Sequence, residues 1–160
     1  MQTINIICIG KLKEQYLRDA QKEYAKRLTA FCKLNIIELD EYALPESPSE
    51  AQIKQGLEKE GKAILNKIEK DAYVFALCIE GRQKDSPAFA GEIKRLAVEG
   101  HSNLTFIIGG SFGLSDEVKN RADQRLSMSE MTFPHQLARI MLIEQIYRAY
   151  QINLNGKYHK

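Results

Sequence analysis

Apolar positions fall into two kinds of stretch along this chain. Short continuous aliphatic runs occupy residues 4–9, 34–39, 73–79 and 104–108, and each is closed by a glycine or an acidic residue. Between them, apolar residues recur every three or four positions. The runs predict strands, and the recurring pattern predicts helices. Leu12, Tyr16, Ala20 and Tyr24 step by four along a first helix, residues 12–28. Ser49 opens a second, because Gln52 three residues on completes a capping box, and Ile53, Leu57, Ile64 and Ile68 form its apolar stripe. Ser86-Pro87 opens a third helix to about Glu99, and residues 115–121 form a short fourth. Residues 125–128 read as a last short strand. Residues 40–49 hold two prolines, two serines and several acids, and read as a loop.

Alternating strands and helices predict an α/β fold, a mainly parallel sheet with helices on both faces. Strands that are apolar throughout, rather than at every second residue, are expected to be covered on both sides. The whole chain, residues 1–160, reads as a single domain. Ligands of such sheets bind beyond the carboxyl ends of strands. Three of those ends, residues 80–81, 109–113 and 128–133, form the candidate site.

The final helix, residues 134–154, departs from the pattern. Pro134 fits a first helical position. Beyond it Leu137, Ile140, Met141, Leu142, Ile143, Ile146, Tyr147 and Tyr150 point around the whole circumference. Such a helix is buried on more than one side. Two arrangements meet that demand: a face turned to a partner subunit, or a wedge within one large core. Arg139, Glu144 and Arg148 would be costly if buried unpaired, so they should be paired or face a ligand.

Composition narrows the function classes. The chain is 44% hydrophobic and 28% charged, ordinary for a globular protein. Its longest apolar run falls far short of the ~20 residues that span a bilayer, and the first residues lack the basic flank of a signal peptide. The expectation is a cytoplasmic protein with no membrane association. Cys8, Cys32 and Cys78 form no Cys-x-x-Cys pair, and His101, His135 and His159 lie far apart, so no metal is expected. The net charge of +2 neither requires nor excludes nucleic acid.

Two features point to chemistry. Gly109-Gly110-Ser111-Phe112-Gly113 contains Gly-x-Ser-x-Gly, the nucleophile elbow of serine hydrolases. Asp116, Asp123, His135 and His159 follow it, but the chain is small for that fold and lacks a second glycine-rich stretch for the oxyanion. The other reading is that these glycines admit a ligand close to the backbone. No dinucleotide or P-loop fingerprint is present. The second feature is the tail, where Arg148, Lys157, His159 and Lys160 accompany Tyr147 and Tyr158. Cations beside aromatics suit phosphates and stacked bases. On the first helix Arg18, Lys22 and Lys26 alternate with Glu14, Asp19 and Glu23, which reads as a solvated face.

The residues also carry a resemblance. The relevant segments are Gly10-Lys11-Leu12-Lys13, Tyr24-Ala25-Lys26-Arg27-Leu28, Leu77-Cys78-Ile79-Glu80-Gly81, Phe106-Ile107-Ile108-Gly109-Gly110-Ser111, Met131-Thr132-Phe133-Pro134-His135, Glu144-Gln145-Ile146-Tyr147-Arg148-Ala149 and the closing Tyr158-His159-Lys160. In their order and spacing they resemble the RlmH family, SPOUT-class ribosomal RNA large subunit methyltransferase H, over the whole chain. The resemblance implies a SPOUT-type fold with a C-terminal trefoil knot, and a homodimer. It implies S-adenosylmethionine-dependent N3-methylation of pseudouridine 1915 of 23S rRNA in the assembled ribosome. Cofactor contacts carried over are Leu77, Gly109, Met128, Ser129, Glu130, Met131, Thr132 and Phe133. Phe112 and Glu130 are where the chain departs from the family pattern. The target nitrogen must lose a proton, and an imidazole with its ordinary pKa of about 6.5 suits that task. His159 is therefore the candidate base, with Tyr158 beside it, while His135 reads as structural or cofactor-adjacent. Arg139, Arg148, Lys157 and Lys160 are the candidate RNA contacts. A ribosome-binding protein that keeps the fold without catalysis is the alternative, and a serine hydrolase using Ser111 is a further one.

Overall fold

A computed structural model describes residues 1–155 of the chain. Its elements alternate as expected: β1 (Gln2–Ile9), α1 (Gln15–Leu28), β2 (Cys32–Leu39), α2 (Glu50–Lys67), β3 (Tyr73–Gln83), α3 (Ser86–Val98), β4 (Asn103–Ile108), α4 (Asp116–Arg121), β5 (Gln124–Ser127) and α5 (His135–Asn153). The five strands form one sheet in the order β2-β1-β4-β3-β5, and every pairing is parallel. This is the α/β architecture expected from the apolar pattern.

The continuous aliphatic runs now have their reason. Successive strand residues face opposite ways, and both faces of this sheet are covered. Ile4, Ile6, Phe75, Leu104 and Phe106 lie in one core with Phe89, Ile93 and Leu96 of α3 and Leu142, Ile143 and Ile146 of α5. Phe75 and Phe106 stack across neighbouring strands with centroids 4.6 Å apart. Ile7, Ile9, Val74, Ala76 and Ile107 face the other way and meet Ile64 of α2 and Val118 of α4. Asn5 is a buried polar residue in the central part of β1. Its side chain donates to Asn103 and accepts from Asn35 on the two flanking strands, so burial costs no lost hydrogen bond.

α5 packs against both α1 and α3 as well as the sheet. That threefold surround explains much of its all-round apolarity within a single chain. Some local expectations are corrected. α1 begins at Gln15 rather than Leu12, because Leu12 is buried in the preceding loop against Leu17 and Ile140. α3 does open at Ser86, as expected, with Asp85 as its N-cap accepting from the Ala88 N–H. Pro134 stands at the N-cap of α5 rather than inside its first turn.

β3 is the element the sequence misread most. It does not end before Glu80-Gly81 but continues to Gln83. Leu77 and Arg82 both oppose Leu126 of β5, so the residues between them are bulged out of register. Gly81 makes this possible. A Cβ there would lie 2.8 Å from the backbone carbons of Arg125 and Leu126.

Candidate functional site

At the carboxyl ends of β3, β4 and β5 the chain opens a cleft of about 800 Å³. Three segments build it. The first is the bulge of β3, which brings Leu77, Cys78, Ile79 and Glu80 to one wall. The second is the turn after β4. Gly113 there has φ +82° and donates its N–H to the Gly110 carbonyl at 3.1 Å. Gly109 lies so close to this turn that a Cβ would sit 2.3 Å from the Gly113 oxygen. Only glycine fits such an approach. The third is the loop from β5 to α5. Ser129 holds it, its hydroxyl accepting the Met131 N–H at 3.0 Å while its carbonyl accepts from the Ser127 hydroxyl. Such hydroxyl-to-backbone bonds fix a turn without a helix or sheet.

Most of the expected cofactor contacts come together here. Leu77, Gly109, Met128, Ser129, Met131, Thr132 and Phe133 all line the cleft, as does His135. Glu130 is exposed and is not among the residues on the cleft wall. Leu126 and Ile108 give the cleft a buried apolar floor. Ile79, Phe112 and Met131 are exposed apolar groups at its rim.

One ion pair stands at the mouth. Lys119 on α4 donates to Glu80 at 2.7 Å. That hydrogen bond is the main reason the Glu80 carboxyl titrates below its ordinary value. Cys78 is raised, first by desolvation and then by the neighbouring Glu80 charge. Lys119 was not foreseen from the sequence, because nothing in the α4 segment marks a lysine that reaches back to β3.

The basic candidates divide. Arg139 is buried, and its guanidinium donates to Glu38 at 2.7 Å, Gly10 O at 3.1 Å and Gln21 at 3.2 Å. It braces α5 against β2, α1 and the turn after β1, and the expectation that it contacts RNA is corrected: a guanidinium this deeply buried and bonded inside the fold is not presented to a phosphate. Its pairing was the other outcome expected. Arg148 is partly buried and bonded to Glu144 one turn earlier, at 2.7 Å. Lys157, Tyr158, His159 and Lys160 lie outside the described residues.

Ser111 sits exposed in the glycine turn. A nucleophile elbow holds its serine in a strained turn leading straight into a helix. Here Asn155 is the non-glycine residue with positive φ among those described, and α4 starts only after the Ser115 cap. No hydrogen bond joins Ser111 to a histidine among the described residues, so the hydrolase alternative has no triad geometry behind it.

The chain matches, over residues 1–159, the family described as "Predicted SPOUT methyltransferase". The chain belongs to the SPOUT methyltransferase family. Among proteins similar to it, the ribosomal RNA large subunit methyltransferase H of Clostridioides difficile is 54% identical over 98% of this chain and 99% of its own length. Those of Exiguobacterium sibiricum and Bacillus thuringiensis are 52% and 53% identical over the same shares. Family membership agrees with the likeness read from the motifs. The fold also resembles that of a probable methylase family protein from Haemophilus influenzae, with a TM-score of 0.55 and 14% identity, covering 98% of this chain and 70% of that one. No helix of the described residues is long and apolar enough to cross a membrane.

Proposed function

We propose that this chain is an S-adenosylmethionine-dependent methyltransferase that modifies N3 of a pseudouridine, position 1915 of 23S rRNA, in the assembled ribosome of the cytoplasm. The observation that carries the reading is the convergence of three loops on one cleft, with seven of the eight expected cofactor contacts on its walls. Near-full-length identity above 50% to large subunit methyltransferases supports the RNA substrate.

The residues fit the cofactor on chemical grounds. Leu77, Leu126, Met131 and Phe133 offer apolar walls for an adenine ring, and the turn at Gly109–Gly113 brings backbone within reach of polar edges. When bound, S-adenosylmethionine supplies an electrophilic methyl group on a sulfonium. The chain's task is then alignment, since in-line displacement depends on the geometry of the reacting atoms. The Ser129 hydroxyl and the crowded Gly109 turn keep two walls of the cleft rigid, which serves that task. His159 takes the N3 proton of the base, Tyr158 orients or stacks on the ring, and Lys157, Lys160 and Arg148 hold phosphates. A homodimer places one subunit's tail at the other's cleft, and the C-terminal knot belongs to the same reading.

The test pairs calorimetry with S-adenosylmethionine and mass spectrometry of ribosomal RNA from cells with and without the chain. Cofactor binding and loss of one methyl group on N3 are expected. Failure to bind the cofactor would sink the reading, and retained ribosome association would then favour the non-catalytic alternative. His159→Ala is expected to abolish methylation while leaving cofactor affinity intact.

A further inference from the structure

The stretch between β1 and α1 is not part of the cleft wall, yet it is bolted to it. The Lys13 N–H donates to the Gln136 side chain at 2.9 Å, and Gln136 follows His135, which lines the cleft. Leu12 is buried against Ile140 of α5. Gly10, with φ +90°, opens the turn, and its carbonyl accepts from Arg139. Arg18 closes it from the other side, donating to the Leu12 and Lys13 carbonyls at 3.0 and 2.8 Å.

A loop held this firmly presents its side chains in fixed positions. Lys11, Lys13 and Tyr16 all point to solvent, Tyr16 with 69% of its surface exposed. Among the described residues neither Lys11 nor Lys13 forms an ion pair; Asp19 is bonded to Gln15 instead. Residues 11–27 hold six cations and three acids, an excess larger than the net +2 of the whole chain. Glu14 and Asp19 lie in the same stretch and temper the field without pairing the two lysines. A rigid loop, two uncommitted ammonium groups and an exposed ring are the ingredients of a single-strand RNA contact: phosphates for the cations, a base face for the aromatic.

We propose that Lys11, Lys13 and Tyr16 form an RNA-contacting lip beside the cleft, which holds the strand flanking the target nucleotide. The proposal rests on the reading of the chain as a ribosomal RNA methyltransferase, but its test needs no turnover. It revises the reading of the first helix as a purely solvated face, and the revision begins at the helix start, where the loop is docked on α5.

The experiment measures binding of the full-length chain to purified ribosomal particles as a function of salt, alongside S-adenosylmethionine affinity by calorimetry. Each lost single-strand phosphate contact should flatten the log–log salt slope by about 0.7. The K11A/K13A variant is therefore expected to lose about 1.4 in slope, with cofactor affinity unchanged. Tyr16→Ala is expected to weaken binding by roughly tenfold, within the usual range for a base stacked on an aromatic, while Tyr16→Phe keeps it. An unchanged slope and affinity in K11A/K13A would overturn the lip, as would wild-type protein that does not bind the particles. Equal losses in Tyr16→Ala and Tyr16→Phe would overturn the stacking role. A chain that binds particles through the lip but neither binds cofactor nor methylates would sink the methyltransferase reading and leave the lip standing.

Discussion

Arg139 and Glu38 form an asymmetric pair, and the asymmetry can be measured. The arginine side chain is 2% exposed and the glutamate 33%. The guanidinium also serves Gly10 O and Gln21. Removing one member of a buried pair costs about 3–5 kcal/mol, chiefly because the survivor is left uncompensated. After Arg139→Met, the survivor is a carboxylate that water can reach, so the cost should fall at or below the low end, about 3 kcal/mol. After Glu38→Leu, the survivor is a buried cation with only neutral acceptors, so the cost should approach the high end, about 5 kcal/mol. The double variant leaves no charge, so its cost should fall short of the sum of the two single costs by a coupling energy of about 1–3 kcal/mol. Equilibrium urea unfolding at neutral pH, with unchanged m-values, reads all four proteins. If Glu38→Leu is no costlier than Arg139→Met, or if the two effects simply add, the account of this brace is wrong.

Three further outcomes follow from the cleft and the core. Burial pushes the Cys8 thiol up to about 12 and the Cys32 thiol up to about 11, so a disulfide reagent at pH 8 should label Cys78 alone in the native protein. Cys78 lines the cleft, so S-adenosylmethionine should slow that labelling; rapid modification of all three thiols would contradict the burial. Gly109→Ala should weaken cofactor binding by at least tenfold, because its Cβ would collide with the Gly113 carbonyl and the turn must move; wild-type affinity in calorimetry would refute it. Glu80 has its carboxyl held below the ordinary 4.5, mainly by Lys119. Its stabilisation is therefore present above that value and lost as pH falls through the lowered one. With Glu80 about half exposed the effect should stay under about 1 kcal/mol, and wild-type and Glu80→Gln unfolding midpoints should converge in acid. A gap that persists at low pH would remove the pair from the account.

Much was already written in the chain's order of residues. Period and run length distinguish strands from helices, because a two-faced strand must be apolar throughout and an amphipathic helix must not. The parallel sheet, the Ser49 capping box and the three strand ends that meet in the cleft all follow from such local rules. Family membership was also legible, in motifs spread from Gly10 to Lys160. Spatial partnership was not. Glu80-Gly81 looked like a strand end, since local pattern cannot show that Gly81 lies against the backbone of β5. Arg139 looked like an RNA contact, since only the folded chain brings Glu38, Gln21 and Gly10, more than a hundred residues away, around one guanidinium. The same holds for α5, whose apolar circumference is met by α1, α3 and the sheet. Local sequence determines what each segment can form, because backbone sterics and burial act over a few residues. Which charges are paired, and which surfaces remain exposed, is decided only when distant segments pack.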